Sequence, residues 1–465
     1  MLIHVRIAIA VFSLAGIYSV ILLKRRQAGI EDLFKFTQSL PHIVGQISAA
    51  TRWPSIFDAS EQLDLPHLQS LCSDTEWTPN LWLHCHKGCG PNGTSLCGGL
   101  NNARNRITSC LRMAIDAGAG LILPPIVMRG EDLEVHPGGK EQCADTWWDL
   151  RTLQDSMTAN CPQLEMRVAC EGLPYHDAIP SLGKLADEAT IIDAKYIECQ
   201  SPCWTKGTFR AGVALPALQQ AATADGTEAT PTIIRYGDPF LGWNYRSSNE
   251  MDTIRKELHL SLPFRAQPLE LGDTIARSPL LRGGAFIGVH LRVESDWPTD
   301  RSSPDQQMAA FEADILRMRA RDLSQDSAAL SAVYVSWGDQ QAIQGFRERL
   351  EPLNFTVHDK WTVLAGQPKM LSLVNEMDFD SMGIVDFEAL VRAQFFIGVL
   401  SSTMSDYIAY TRTTDDEEDF FDTYIYPGVS FLGPIAKFPE PFTIRGNQYT
   451  SLLVTDGQYY MDAFP

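Results

Sequence analysis

The sequence predicts an α/β fold, and two observations lead to that prediction. From Trp77 onward, short apolar segments of strand character alternate with longer segments of helical periodicity, as in sheets whose strands are joined by helices. Hydrophobic residues make up 45% of the 465 positions, which is enough for a large core and two or three domains. The same fraction excludes a mainly disordered protein.

The clearest helix–strand unit runs from Gly98 to Pro125. Two glycines open it, Gly118 and Gly120 end its helix, and 121–123 is an apolar strand stopped by a Pro-Pro pair. The residues at helical spacing are Ile107, Leu111, Ala114 and Ile115.

Later strands are predicted in four apolar segments: Thr232–Tyr236, Ala285–Leu291, Ala332–Trp337 and Gln394–Leu400. A fresh strand–helix series starts after 265–283, and no cysteine follows that stretch. We therefore predict one domain at residues 76–270 and a second at 271–465.

The cysteines indicate the compartment. All ten lie between Cys72 and Cys203, and an even number crowded into one region predicts a disulfide framework made in an oxidising environment. Two N-glycosylation sequons, at Asn92 and Asn354, point to the same compartment.

The N-terminus carries seventeen uncharged residues, 7–23, followed directly by the bases Lys24–Arg26. Such a segment spans roughly 26 Å as a helix, which suits a thin bilayer. A cleavable signal peptide is the alternative, but it would end in small residues rather than in bases. We predict a signal anchor at 7–23, after a cytosolic tail at 1–6 and before a stem at 24–75.

Two signals conflict over the orientation. The positive-inside rule, applied to Lys24–Arg26, places the body in the cytosol, whereas the cysteines and sequons place it in the lumen. We give the cysteines and sequons more weight, because Arg6 and the N-terminal amine partly balance the three bases. The prediction is a single-pass type II protein of the Golgi or endoplasmic reticulum membrane with a lumenal body.

The charge balance excludes one class of partner. With 38 Lys and Arg against 57 Asp and Glu, the net charge is −19. A surface of that sign repels nucleic acid and anionic membrane surfaces, so neither is expected to bind the folded part.

A first candidate binding motif is Gly-Gly-Leu-Asn-Asn-Ala-Arg at 98–104, at the start of the predicted helix. Glycines let a backbone approach a ligand closely, and the N–H groups of a helix start attract anions. Gly99, Asn101 and Asn102 are therefore candidate ligand-binding residues. The alternative is that the Asn side chains only cap the helix.

A second motif follows an apolar strand, which delivers His290 and Arg292 with Glu294 and Asp296 just beyond. Ligands of open α/β sheets bind at the carboxyl ends of strands, and Arg is suited to a bidentate grip on phosphate. The alternative is a surface ion pair between Arg292 and one of the two carboxylates.

A third motif reads as a helix with Asp386, then a strand, then a hydroxyl-rich turn with Ser401 and Ser402. The two serines can cap the helix that follows, or offer hydroxyl and N–H groups to a diphosphate. Both roles are compatible with each other.

Two patterns suggest metals, and we assign neither to a metal site. Asp378-Phe379-Asp380 has the form of a D-x-D motif, but acidic residues are plentiful nearby, so we predict a solvated loop. The segment 84–86 (His-Cys-His) with Cys89 and Cys97 fits no closed zinc pattern well, and disulfides explain the same cysteines.

The three motifs together resemble those of the protein O-fucosyltransferases. The string G-V-H-L-R-V-E-S-D-W at 288–297 resembles the H-L-R-x-x-x-D-W signature, and 386–402 resembles the second nucleotide-binding motif. Residues 98–104 are similar to the G-G-x-N-(N/Q)-x-R motif of the wider superfamily. The resemblance spans about Leu96 to Arg412 in the family's order.

This resemblance implies a GT-B-like α/β architecture, with two Rossmann-like domains facing a cleft. It implies inverting, metal-independent transfer of fucose from GDP-fucose to a hydroxyl of a glycoprotein or glycan acceptor, with no cofactor besides the donor substrate. Carried over by position, Arg292 would hold the β-phosphate, His290 and Asp296 would shape the nucleotide pocket, and Asp386 would contact the guanine.

By the same resemblance, Ser401 and Ser402 would bind the phosphates, and Asn101 and Asn102 would face donor and acceptor. The catalytic base is left open: no carboxylate lies within 98–104, and Glu294, which replaces a small or neutral residue of some relatives, is the nearest candidate. The alternative is that the reaction needs no base from the enzyme. Two alternatives stand beside this function. One is an inactive lumenal sugar-binding or scaffold protein, and the other is a transferase using a different nucleotide sugar.

Overall fold

The computed structural model describes residues 63–454, with gaps at 131, 137–138, 176–178, 195–202, 226–229, 298–301, 322–329, 337, 339, 400–401, 414–424 and 427–449. The predicted anchor at 7–23 and most of the predicted stem lie outside these residues. Within them, no helix combines the length and apolar character needed to cross a bilayer.

The chain alternates strands and helices, as the sequence predicts. The strands are β1 Leu81–His86, β2 Leu96–Cys97, β3 Gly120–Leu123, β4 Ile126–Val127, β5 Glu141–Gln142, β6 Met166–Val168, β7 Thr190–Asp193, β8 Thr232–Gly237, β9 Ile287–His290, β10 Ala332–Ser336, β11 Thr356–His358, β12 Phe395–Val399, β13 Ile425–Tyr426 and β14 Thr450–Val454. The α-helices are α1 Pro66–Asp74, α2 Leu100–Ala117, α3 Leu150–Asn160, α4 Leu185–Glu188, α5 Leu215–Asp225, α6 Ile254–Ser261, α7 Ala266–Ala276, α8 Pro304–Arg321, α9 Gln340–Leu350, α10 Lys360–Leu364, α11 Pro368–Asn375, α12 Phe379–Val391 and α13 Thr403–Thr413.

Two parallel sheets organise the described residues, which confirms the predicted α/β fold. The first has the strand order β6-β3-β1-β8-β7, and its strands all precede the predicted boundary at 270. The second has the order β11-β10-β9-β12-β14-β13, and its strands all follow that boundary. A small sheet of order β2-β4-β5 accompanies them.

The central strands are apolar because both faces of each parallel sheet are covered. In the second sheet, β9, β10 and β12 are buried along their whole length, and their apolar side chains form one core with α8 and α9. The four later strand predictions each overlap an observed strand, namely β8, β9, β10 and β12. Strand β1 was not among the predicted segments, because its sequence Leu-Trp-Leu-His-Cys-His mixes polar with apolar residues.

Helix α2 is the predicted unit after the glycine pair. It begins after Gly99 and ends at Gly118, which has a left-handed φ of 66° and donates its N–H to the carbonyls of Ala114 and Ile115. A disulfide between Cys85 and Cys110 ties this helix to β1.

Four disulfides among the described residues confirm the predicted framework: Cys72–Cys161, Cys85–Cys110, Cys89–Cys97 and Cys143–Cys170. The three cysteines considered for zinc, at 85, 89 and 97, are thus all disulfide-bonded. Residues 66–74, which fell within the predicted stem, form helix α1. Because Cys72 joins α1 to the residue after α3, this stretch belongs to the folded body.

Helix α2 joins the two halves of the chain. Leu100, its first residue, donates its N–H to Asp380 in the first turn of α12 at 3.1 Å. Helix α2 also contacts α13, where Arg104 lies fully buried with its guanidinium 4.0 Å from the ring centroid of Tyr407. The start of α2 therefore lies against both α12 and α13.

Within the second half, α7 packs closely on α12: a Cβ at Gly272 would stand 2.5 Å from the carbonyl oxygen of Val385.

Candidate active site

Arg292 lies two residues beyond the carboxyl end of β9, as the sequence predicts. Its guanidinium forms ion pairs with both nearby carboxylates, Glu294 and Asp296, and Nη2 stands 2.7 Å from Oδ1 of Asp296. The pairing that the alternative predicted is therefore present, but only 17% of the Arg292 side chain is exposed, so the ion pair is largely buried. The indole of Trp297 lies beside the guanidinium, 5.4 Å from its Cζ.

The backbone of Arg292 is fixed by a buried amide. The N–H of Arg292 donates to Oε1 of Gln307 at 3.0 Å, and Nε2 of Gln307 donates to the carbonyl of Arg292 at 2.6 Å. Burial alone would lower the pKa of the Arg292 guanidinium, but Glu294 and Asp296 raise it above its ordinary value. Arg292 is therefore a fixed, permanent cation just beyond the carboxyl end of β9, a central strand of the second sheet.

His290, the last residue of β9, is buried and connects the strand to α13. Its Nδ1 lies 2.6 Å from the hydroxyl of Ser405, which accepts the N–H of Val399 at 3.0 Å. Burial lowers the pKa of His290 to about 4, against an opposing effect of Glu294, so the ring is neutral at pH 7.

Arg129, which follows β4, connects the first half of the chain to the second motif. Its Nη1 donates to Asp296 at 3.3 Å and its Nη2 to Asp380 at 2.6 Å. Asp380 also accepts the N–H of Leu100, at the start of α2, at 3.1 Å. One ionic network thus runs from Arg292 through Asp296, Arg129 and Asp380 to α2.

The position of Asp380 corrects one prediction. Asp378–Asp380 is not a solvated loop: Asp378 caps α12 by accepting the N–H of Ser381, and Asp380 is 4% exposed in the first turn. Burial raises the pKa of Asp380, and Arg129 offsets that shift only in part. Both carboxylates of the D-x-D pattern are occupied by protein donors.

The glycine–asparagine motif lies against this network. A Cβ at Gly99 would stand 3.4 Å from Cζ of Arg129, an ordinary van der Waals distance, so Gly99 lies directly against the guanidinium. Oδ1 of Asn102 accepts the hydroxyl of Thr403, at the start of α13, at 2.9 Å. Asn101 is 6% exposed, and its Oδ1 has no partner among the described residues.

Asp386 lies apart from this network, within α12. Its carboxylate accepts from three protein donors: Nζ of Lys360 at 2.6 Å, the hydroxyl of Tyr334 at 2.5 Å and that of Ser336 at 3.1 Å. The side chain is 3% exposed. The Asp386 carboxylate is therefore buried and already bonded to protein donors.

Ser402 is buried between β12 and α13, where its N–H donates to Val399 and its carbonyl accepts from Asp406. Ser401 lies outside the described residues. The predicted glycosylation residues Asn92 and Asn354 are both exposed, so a glycan at either one remains a prediction.

Sequence reasoning missed Arg129, Gln307 and Thr403. Arg129 belongs to no pattern that would single it out, and Thr403 lies in the hydroxyl-rich turn of the third motif, where only Ser401 and Ser402 were chosen. Gln307 lies on a helix whose period predicts burial only for apolar positions. Asp380 belonged to a visible pattern, but the pattern could not show that a cation comes to it from 251 residues away.

Comparison with known proteins identifies the family to which this chain belongs. A family model described as GDP-fucose protein O-fucosyltransferase matches residues 94–415. No curated protein matches the sequence significantly.

Several solved structures of fucosyltransferases are similar to the chain. POFUT1 in complex with GDP-fucose is 14% identical, with a TM-score of 0.44 over 72% of this chain and 95% of that one. NodZ alpha-1,6-fucosyltransferase soaked with GDP-fucose is 13% identical, with a TM-score of 0.35 over 71% and 91%. A mutant of Arabidopsis thaliana FUT1 in complex with GDP is 10% identical, with a TM-score of 0.32 over 74% and 71%.

Proposed function

Because this chain belongs to the GDP-fucose protein O-fucosyltransferase family, we propose that it transfers fucose from GDP-fucose to a hydroxyl of a protein or glycan acceptor, with inversion and without a metal ion. The chain is a fucosyltransferase. The observation that supports GDP-fucose as its donor is the position of Arg292. A permanently charged, partly buried guanidinium stands beyond a parallel strand, at the sheet edge where nucleotides bind.

Arg292 serves the leaving group in this proposal. Displacing GDP from the anomeric carbon builds negative charge on a diphosphate oxygen, and a cation that is already in place lowers the barrier without reorganising. The N-terminal end of α13, where Ser402 and Thr403 lie, adds N–H groups and the positive end of a helix dipole. Ser401 stays with them as a proposed phosphate ligand.

His290, Asp296 and Asp386 shape the rest of the donor pocket. His290 is neutral and holds Ser405, and Asp296 orients Arg292. Asp386 is proposed to contact the guanine on the ground of the family resemblance, although its carboxylate already accepts from Lys360, Tyr334 and Ser336.

Gly99, Asn101 and Asn102 form the side of the cleft that faces donor and acceptor. The buried Oδ1 of Asn101 lacks a partner among the described residues, and a buried acceptor without a donor is costly unless a ligand supplies one. A sugar hydroxyl is such a donor.

The catalytic base is proposed to be Glu294. Its carboxylate is held in place by Arg292 and by the N–H of Val293 at 3.1 Å. A Cβ at Gly338 would stand 2.4 Å from Cγ of Glu294, so that glycine leaves room for this side chain. The acceptor hydroxyl loses its proton to the base as its oxygen bonds to the anomeric carbon and GDP leaves.

We also propose a two-domain GT-B-like arrangement, with residues 76–270 on the acceptor side and 271–465 on the donor side. The membrane anchor at 7–23 and a lumenal body in the Golgi or endoplasmic reticulum complete the proposal. Four disulfides support an oxidising compartment.

A ligand panel tests the proposed function. Thermal unfolding of the purified protein is followed with GDP, UDP, GDP-fucose and UDP-sugars, and nucleotide release from each sugar donor is assayed. GDP and GDP-fucose are expected to raise the melting temperature, and GDP-fucose is expected to be hydrolysed slowly. Stabilisation by UDP but not GDP contradicts the donor, and GDP binding without any hydrolysis or transfer favours a binding protein.

A further inference from the structure

A row of polar side chains crosses one face of the first sheet, near the carboxyl ends of its strands. His84 of β1 is the register partner of Arg235 of β8, and Arg235 is the partner of Asp193 of β7. Register partners in parallel strands point to the same face, and His86, two positions on from His84, shares that face. The rings of His84 and His86 lie 6.5 Å apart.

This face is not the one that α2 covers. Cys85 points to the opposite face from His84 and is disulfide-bonded to Cys110 of α2. Deeper in the sheet, the row's own face is apolar and covered, with Trp82 and Ile233 in a buried cluster. Towards the carboxyl ends of the strands, the side chains on this face become more exposed.

Exposure rises along the row towards the edge strand. His84 is buried, Arg235 and His86 are half-buried, and Asp193 is exposed. Ile191, on the same face of β7, is an exposed large apolar residue at 40%. Strand β7 is the last strand of the sheet on this side.

Two groups of the row are left without hydrogen-bond partners among the described residues: Nε2 of His84 and Nε of Arg235, both buried. No hydrogen bond or ion pair joins the Arg235 guanidinium to any of those residues, although Asp193 lies in register with it. Other arginines of this half are bonded to carboxylates, such as Arg106 to Asp238 at 2.8 Å and Arg112 to Glu250 at 2.7 Å.

The two histidines add no positive charge to the row, which leaves Arg235 as its cation and the exposed Asp193 as its anion. Burial lowers the pKa of His84 to about 3, and burial together with Arg235 lowers the pKa of His86. Asp238, just beyond β8, is already paired with both Lys87 and Arg106. Among the described residues, no carboxylate binds the Arg235 guanidinium, although Asp193 lies in register with it.

The row lies at the same end of the first sheet as the candidate active site. Arg106, which binds Asp238 after β8, also donates through Nη1 to the carbonyl of Cys97 at 3.0 Å. Cys97 directly precedes the glycine pair whose second member packs against Arg129. The carboxyl edge of the first sheet therefore adjoins the start of α2.

We propose that Arg235, with His84 and His86 beside it, binds a carboxylate of an acidic protein acceptor, so that the enzyme selects serine or threonine residues flanked by Asp or Glu. This inference rests on the proposed transfer of fucose to an acceptor at this end of the molecule. A guanidinium donates to a carboxylate, and so can the Nε2–H of neutral His86, whose Nδ1 accepts the N–H of Gly88 at 3.1 Å. A peptide is the favoured carrier, because extended peptides pair with edge strands such as β7 and the exposed Ile191 offers an apolar contact.

The test is fucose transfer from radiolabelled GDP-fucose to paired peptide sets. One set carries Asp or Glu at positions flanking a central Ser or Thr, and the matched set carries Asn or Gln. Hydrolysis of GDP-fucose without acceptor is measured for every variant, and transfer is expressed relative to it. The wild type is expected to favour the acidic set by about 10-fold or more, the value of one charge-assisted hydrogen bond.

Arg235→Ala is expected to remove that preference, and Arg235→Glu to shift it towards peptides with flanking Lys. Arg167→Ala is the matched control. Arg167 of β6 is in register with Ile122 on the same face but at the other edge, and it lies over Trp82. This variant should keep the acidic preference.

Three outcomes overturn the inference while hydrolysis of GDP-fucose remains: equal transfer to both sets, a preference that survives Arg235→Ala, or transfer to uronic-acid oligosaccharides but to no peptide. A wild-type protein that neither hydrolyses GDP-fucose nor transfers fucose instead contradicts the proposed function.

Discussion

The guanidinium of Arg129 lies 2.6 Å from the carboxylate of Asp380, although 251 positions separate the two residues. Arg129 follows a strand of the first half of the chain, and Asp380 stands in the first turn of α12 in the second half. Because Asp380 also accepts the N–H of Leu100, this ion pair holds the start of α2 against the start of α12.

Removing Arg129 is expected to destabilise the protein strongly. In Arg129→Met, Asp380 keeps its burial but loses its cation, and breaking such a pair costs about 3–5 kcal/mol. Urea unfolding measures the loss. Asp380→Asn and the double variant complete a cycle, in which the double variant should be less destabilised than the sum of the two single changes. Simple additivity would show that the pair does not couple.

Glu294→Gln separates a base from a residue that only positions Arg292. If Glu294 accepts the acceptor proton, the variant loses about 10²–10⁴-fold in kcat for transfer with little change in KM for GDP-fucose. Asp296→Asn is the matched control, since Asp296 holds the same guanidinium, and it should act mainly on donor affinity. A kcat for Glu294→Gln within twofold of the wild type removes Glu294 from the role of base.

Chelation is expected to leave transfer unchanged. Asp378 and Asp380, the two carboxylates of the D-x-D pattern, already accept from Ser381 and Arg129. Turnover is compared before and after exhaustive dialysis against EDTA, and again after Mn²⁺ is added back. A loss on dialysis that Mn²⁺ restores contradicts the proposed metal independence.

Acidification is expected to destabilise the fold between pH 6.5 and 5. Burial lowers the pKa of five described histidines: His84 to about 3, His290 to about 4, His259 well below its ordinary value, and also His86 and His358. The unfolded chain binds protons at about pH 6.5, where the folded one does not, so their contribution is complete above that pH and is lost as the pH falls towards the folded values.

Urea midpoints at pH 7, 6 and 5 measure this dependence, at up to about 1.4 kcal/mol per pH unit for each histidine. His290→Asn removes one of these titrating groups and should flatten the slope accordingly. A midpoint that stays constant from pH 7 to 5 would mean that these rings are protonated in the folded state.

Much of the fold was readable from local sequence. Apolar runs predicted β8, β9, β10 and β12, and the glycine at 118 predicted the end of α2, because burial and backbone conformation act on consecutive residues. Strand β1 was not predicted because its two histidines are polar. Its central position depends on pairing with β3 and β8, which the local sequence does not show.

The candidate site was predicted where the chain itself brings residues together, as with Arg292, Glu294 and Asp296. Arg129 and Asp380 could not be predicted, since their pairing depends on how distant elements meet. The disulfide pairing could not be predicted either. Ten clustered cysteines indicate that disulfides form, but they do not show which cysteines are joined.

The most direct test of the account is turnover of GDP-fucose by Arg292→Ala, with Arg292→Lys beside it to keep the charge without the fork. Circular dichroism and thermal unfolding establish that both variants are folded. If Arg292 stabilises the leaving diphosphate, kcat/KM falls by about 10²–10³-fold or more in Arg292→Ala, and Arg292→Lys recovers only part of it. Wild-type turnover in a folded Arg292→Ala would show that Arg292 does not stabilise the leaving diphosphate.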